Sequence, residues 1–419
     1  MEPSSRRSSF AQQKRPYSLK KSQALFAQAR KVDALIRAQP SLHFPEGRIG
    51  GIPLFVHKAS GAYIWDLDGN RYIDFILGHG SVILGHGDPD VCAAVVETFE
   101  TGPNPTLIPP HQVELAKKVL SCAPNLESIV FLKTGSDATG AAVRLARSVT
   151  GRRLVLQWGL HGWHDWCSLT SPGVSDETKA ETLPLKYNDV SQVQRLFMQH
   201  KDRIACVIMM PFEVDYPVPG YLQTIRSLCS KHGAALIFDE IRTGFRIAWG
   251  GAQELFGVQA DLVTYGKAMA NGYTISALAG PNQFMDRILD VTMTSTFYRA
   301  PDVFAASLAT LQKISSLNVP ATLAKSGQIL KDGLAKAARK YDVPVSAIGH
   351  PSMPFLEFNY RCQSRSRRAM KFFCSGMLRR GFLMTPQHHW FVAYAMTETD
   401  ILATVAGAHQ VMRDIDAMI

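Results

Sequence analysis

The chain has no run of about 18 apolar residues, so no stretch of it has the length and character of a membrane-spanning helix. It has no Cys-x-x-Cys pair. Its cysteines, Cys92, Cys122, Cys167, Cys206, Cys229, Cys362 and Cys374, are odd in number and scattered. Neither a disulfide framework nor a clustered zinc site is expected, and the pattern fits a reducing compartment. No G-x-G-x-x-G follows an early strand, which argues against a nicotinamide-binding domain. No repeat is present. Acids are scarce at the N-terminus, where Glu2 alone faces Arg6, Arg7, Lys14, Arg15, Lys20, Lys21, Arg30 and Lys31. That segment has no following apolar stretch, so a secretory signal is not expected, while an organelle transit peptide stays open. The expectation is a disordered basic tail over 1–20 on a cytoplasmic protein. A second basic cluster, Arg361, Arg365, Arg367, Arg368, Lys371, Arg379 and Arg380, reads as a solvated helix face. The net charge of +10 is thus partly local, and no nucleic-acid-binding signature accompanies it.

What is present is a chain of 419 residues with 46% hydrophobic and 19% charged side chains, enough for two domains. Residues 21–37 carry apolar side chains at helical spacing. Residues 53–75 alternate around Asp66-Leu67-Asp68-Gly69-Asn70, a turn between two short strands. From 76 to 310, strand candidates at 128–132, 153–157, 205–210, 234–239, 261–265 and 276–279 alternate with helical stretches such as 136–149 and 220–232. This is the pattern of a large, doubly wound, mostly parallel α/β sheet domain. A long helical region is expected over 303–340. Short strands (355–359, 391–395) and helices (365–380, 398–418) suggest a smaller α+β domain. The expected division is a tail at 1–20, a segment 21–75 joining the small domain, a large domain 76–310, and a C-terminal part 311–419.

Two of these strands end in charge. The run Ala234–Phe238 closes on Asp239 and Glu240, and Asp261–Gly266 closes on Lys267. Alone, Asp239 would be a helix cap and Lys267 a loop lysine. Together they stand at the C-terminal edge of parallel strands, where open α/β sheets bind ligands. A lysine amine and a carboxylate meeting there suit pyridoxal 5′-phosphate (PLP): the amine forms a Schiff base and the acid faces the pyridine nitrogen. Thr134-Gly135-Ser136 follows the strand at 129–132 and opens a helix. Alone it reads first as a plain cap, and otherwise as a phosphate site of backbone N–H groups, hydroxyls and helix dipole.

Taken together, "KTGSDATGAAVRLAR", "GLHGWHDW", "IFDEIRTGFR", "TYGKAMANGY" and "STFYRAPDVFAASLATL" resemble the class III PLP-dependent aminotransferases in order and spacing. The likeness is greatest to glutamate-1-semialdehyde 2,1-aminomutase-like members. "GAYIWDLDGNRYIDF", "ILGHGDPDV" and "AMTETDI" extend it over about residues 50–419. The resemblance implies a fold-type I PLP-dependent transferase whose smaller α+β domain is built from both chain ends. It implies that Lys267 is the Schiff-base lysine and that Asp239 keeps the pyridine nitrogen protonated. Ile241 would pack against the ring, and Thr134, Gly135 and Ser136 would hold the phosphate. Ser295 and Thr296 would reach the phosphate of a neighbouring subunit, which implies a homodimer with shared active sites. The family's Tyr-His-Gly becomes Leu160-His161-Gly162, so Leu160 offers apolar contact where a tyrosine stacks. Trp158 or Trp163 are candidates to compensate. No metal is expected from His161, His164 and Asp165. The aminomutase's carboxylate-binding arginine falls on Phe44, near Arg48, and its C-terminal glutamate falls on His388, both against glutamate 1-semialdehyde as substrate. The implied activity moves an amino group from an amino-acid donor to a keto or aldehyde biosynthetic intermediate. An aminomutase, a racemase and a non-catalytic binding protein on the same fold are the alternatives.

Overall fold

The computed structural model describes residues 17–38, 48–49, 52–53 and 55–418. The basic tail over 1–16, Phe44 and Gly50-Gly51 lie outside the described residues. The chain forms two compact units: one comprises residues up to 77, 84–88 and 322–419, and the other 78–83 and 89–321.

The second unit holds a seven-stranded sheet. In chain order its strands and principal helices are β1 (Ser128–Leu132), α1 (Gly135–Thr150), β2 (Leu154–Trp158), β3 (Thr182–Pro184), β4 (Ile204–Met209), α2 (Tyr221–His232), β5 (Ala235–Asp239), β6 (Leu262–Tyr265), β7 (Ser276–Gly280) and α3 (Pro301–Ser316). The strand order is β1-β7-β6-β5-β4-β2-β3. All pairs are parallel except those of β7, which runs against both neighbours. Every residue of β4 and β5 is buried, as expected for strands covered on both faces. The reversal of β7 has a local cause. A parallel neighbour needs a crossover of about a dozen residues or more, usually a helix. The short 266–275 link between β6 and β7 carries only a 3₁₀ turn at Lys267–Ala270. Because β1 is again reversed relative to β7, its C-terminal end shares an edge with those of β2, β4, β5 and β6.

Helix α1 packs on this sheet through Ala138, Ala141, Ala142, Leu145 and Ala146, and small side chains let it lie close to the strands. It starts in a capping box: Thr134 Oγ1 accepts from Asp137 N–H at 3.2 Å, and Asp137 Oδ2 accepts from Thr134 N–H at 2.8 Å. The long helix expected over 303–340 is two helices, α3 and Val319–Lys340, broken where Asn318 adopts φ +46°.

The first unit contains a four-stranded sheet, ordered Phe382–Leu383, Arg71–Asp74, Tyr63–Asp66, Val56–Ser60. The expected turn is set by Asp66, whose carboxylate accepts from Asn70 N–H (2.8 Å), Asn70 Nδ2 (2.7 Å) and Tyr72 Oη (2.9 Å). Residues 17–20, expected within a disordered tail, are placed: the Tyr17 and Tyr72 hydroxyls lie 2.9 Å apart, and a helix starts at Lys20. That helix ends at Val32, and a short one follows at Ala34–Ala38. The strand expected at 391–395 is not one. Phe391, Val392 and Ala395 donate to Phe75, Ser352 and Leu84 respectively, so the segment is held by three partners rather than one ladder.

Candidate active site

The shared strand edge gathers the charged residues of the sheet. Asp239 ends β5, and the parallel register sets it beside Thr264 of β6. It is 4% exposed, and each of its oxygens has a hydrogen-bond partner. Oδ1 accepts from Ile241 N–H at 3.1 Å and Thr264 Oγ1 at 3.3 Å. Oδ2 lies 2.7 Å from His161 Nδ1.

The partners of His161 settle where one hydrogen must be. Its Nε2 lies 3.0 Å from the Trp158 carbonyl oxygen, which only accepts, so Nε2 carries hydrogen. His161 thus spans the Asp239 carboxylate and the Trp158 carbonyl with its two ring nitrogens. The backbone of His161 is fixed in turn by Thr139, whose hydroxyl donates to its carbonyl at 2.7 Å.

Lys267 leaves β6 through Gly266 with φ +41°, a left-handed conformation that costs about 1–3 kcal/mol in a bulky residue. The side chain is half-buried and makes no hydrogen bond or ion pair with another described residue. Loss of solvation, helped by Arg242 and Arg246 and opposed by Asp239 and Glu213, draws its ammonium down from 10.5 to about 7. A lysine in that range is a nucleophile and proton carrier near neutral pH.

At the start of α1, Gly135 lies against Ile241: a Cβ there would meet the isoleucine side chain at 3.3 Å. A Cβ on Gly266 would meet the same side chain, 3.1 Å from its Cδ1. Ile241 thus sits between the helix start and the segment carrying Lys267. Ser136 is buried beneath Gly162, where φ is +104° and a Cβ would fall 2.1 Å from Ser136 Oγ. The Leu160–Gly162 turn therefore closes on the N-terminal end of α1 only because residue 162 is glycine.

Asp239, Ile241, His161, Thr134, Gly135, Ser136 and Lys267 converge on one edge. Leu160 is 70% exposed. Trp158 is committed elsewhere, stacked on Tyr187 at 3.9 Å, and Trp163 is exposed beside His164. Ser295, half-buried, lines a cavity with Leu132, Asp137 and Gly140 beside the start of α1. Thr296 is exposed, and its carbonyl accepts from Asn104 at 3.1 Å. No group of three metal-ligating side chains is found among the described residues. Residues not singled out from sequence also belong here. Thr264 is found only through strand register. Arg242 pairs with Glu213 at 2.8 Å. Glu240 is fully buried and its carboxyl is pushed up to about 7 by burial, against donors from Ala252, Thr243 and Gln253. The Arg242 signal, an arginine inside the Asp239–Arg246 motif, was visible in the sequence.

A strand-edge lysine drawn towards neutrality, a buried carboxylate and a capped helix start thus lie on one edge of a doubly wound sheet. Residues 47–401 match the family described as Aminotransferase class-III, and the chain belongs to it. A 3-aminobutyryl-CoA aminotransferase of Cloacimonas acidaminovorans (strain Evry) is 34% identical over 378 residues, covering 88% of this chain and 91% of that protein. A glutamate-1-semialdehyde 2,1-aminomutase of Desulforapulum autotrophicum is 34% identical over 430 aligned positions, covering 94% and 98%. Among solved structures, the PLP internal aldimine form of the FumI protein of Sphingopyxis sp. MTA144 superposes with a TM-score of 0.89 at 28% identity, covering 96% and 98%. The protein is a PLP-dependent class III aminotransferase, and its substrates are small-molecule amino donors and acceptors.

Proposed function

We propose that Lys267 and Asp239 carry the chemistry, and that the reaction moves an amino group from an amino-acid donor to a keto or aldehyde biosynthetic intermediate. The carrying observation is a lysine amine drawn to about 7 on the same sheet edge as a buried carboxylate 2.7 Å from His161 Nδ1. When bound, PLP supplies a carbonyl that captures amines and a ring that takes up the electron pair of a Cα–H bond.

The residues fit that group. Lys267 would bond the aldehyde carbon of PLP, and its amine would serve as the base that removes the proton from the donor's Cα. Asp239 holds a proton at the pyridine nitrogen. His161 and Thr264 fix the Asp239 carboxylate in orientation. The N–H groups of Gly135 and Ser136, with the hydroxyls of Thr134 and Ser136, hold the phosphate at the positive end of α1. Thr296, which is exposed, and the neighbouring Ser295 serve the phosphate of a second copy, so that a homodimer completes both sites.

The relatives' names include an aminotransferase and an aminomutase, so the assay must separate them. Loaded enzyme is mixed with single amino acids and no acceptor. A transaminase releases about one equivalent of keto acid per site and stops. An aminomutase or a racemase releases none, and that result with every donor, including 3-amino acids, sinks the reading.

A further inference from the structure

Beside the site lies a cavity of about 460 Å³ lined by none of Lys267, Asp239 or Thr134–Ser136. Gly140, Arg144 and Arg147 of α1 form one wall, and Trp163, His164 and Trp166 form another. Trp166 is 9% exposed, yet its indole Nε1 has no hydrogen-bond partner among the described residues. A buried donor left unmatched is destabilising. This nitrogen faces the lining glycine: a Cβ on Gly140 would stand 3.7 Å from Trp166 Nε1 and 2.9 Å from His164 Nδ1. The other nitrogen of His164 lies 3.8 Å from Asp137 Oδ1.

The charge of the lining favours an anion. Arg144 uses Nη1 on the Val291 and Thr292 carbonyls, at 3.1 and 3.4 Å, which fixes the guanidinium in place. Arg147 is shared with Glu181 at 3.2 Å. Asp165 is the one carboxylate in the lining, and it is exposed. The rest of the lining is Thr178, Val143 and the Trp163 ring, which is 78% exposed.

We propose that this cavity binds a small carboxylate with an apolar or aromatic body, the carboxylate taking the Trp166 N–H and the Arg144 guanidinium and the body lying on Trp163 and Val143. A cation would meet two guanidiniums, and a purely apolar molecule would leave the indole N–H unmatched. Trp166 also stacks on His161, ring centroids 6.0 Å apart and planes 19° from parallel, so an occupant touches a wall shared with the partner of Asp239.

The test is calorimetric titration of the cofactor-loaded protein with benzoate, and separately with inorganic phosphate. Saturable benzoate binding is expected, weakened about tenfold in Trp166→Phe and in Arg144→Gln, the factor that about 1.4 kcal/mol represents. Lys267→Ala should leave the Kd unchanged. Arg144 is exposed, so its substitution remains informative if Trp166→Phe folds poorly. No saturable benzoate binding, equal binding in both variants, or loss in Lys267→Ala overturns the proposal. Phosphate binding as tight as benzoate overturns the apolar-body assignment.

Discussion

Replacing Lys267 by methionine should stabilise the cofactor-free protein, most at low pH. The lysine is held in surroundings that draw its ammonium from 10.5 to about 7. At 1.36 kcal/mol per decade this corresponds to at most about 5 kcal/mol spent on the charged form. Lys267 keeps some solvent contact, so ~2 kcal/mol is the expected gain. The sign follows from proton counts. Between pH 7 and 10.5 the unfolded chain holds this proton and the folded chain does not, so wild-type stability rises with pH across that window. Below pH 7 both states hold it and the full cost is present. Lys267→Met removes the cost, so its advantage is largest near pH 6 and is about halved by pH 9. Urea unfolding of cofactor-free protein at both pH values reads the difference. In thermal scans ~2 kcal/mol amounts to a rise of a few degrees at most. A variant no more stable than wild type at pH 6, or an advantage that grows with pH, would refute a desolvated amine at this position.

The surrounding residues give further expectations. Asp239→Asn keeps the shape but cannot hold a proton at a ring nitrogen, and kcat should fall on the order of 10²–10³-fold with the cofactor still bound. His161→Gln removes the imidazole beside Asp239 Oδ2; a smaller loss in kcat, about tenfold, should come with a displaced pH–rate profile, which a packing defect alone would not produce. Gly162→Ala forces a Cβ to 2.1 Å from Ser136 Oγ at φ +104°, and should cost more than about 2 kcal/mol in an unfolding titration and weaken phosphate binding.

Much of the edge chemistry was legible because it is local. Asp239 and Lys267 each close a short apolar run, and such runs ended as buried strands at Ala235–Asp239 and Leu262–Tyr265. The capped start at Thr134 was visible for the same reason. What required the fold was everything set by pairing. Thr264 donates to Asp239 through strand register, which periodicity does not carry. The three-residue edge strand Thr182–Pro184 is too short to show a period, and Phe382–Leu383 has only two residues. The segment 391–395 reads as a buried strand because it is apolar, and its hydrogen bonds to three separate partners are invisible to composition. The break at Asn318 was missed because the apolar pattern continues through it, although asparagine is a residue that tolerates positive φ. Trp158 and Trp163 show the limit of residue type alone, one stacked on Tyr187 and the other exposed.

The central claim is that Lys267 is the residue that bonds the cofactor. Borohydride reduction of the purified, PLP-loaded protein, followed by proteolysis and mass spectrometry, tests it directly. A pyridoxyl phosphate mass on the peptide carrying Lys267, and none in Lys267→Ala, is the predicted result. The label on another lysine, such as the half-buried Lys133 at the start of the phosphate loop, or no label at all, would contradict it.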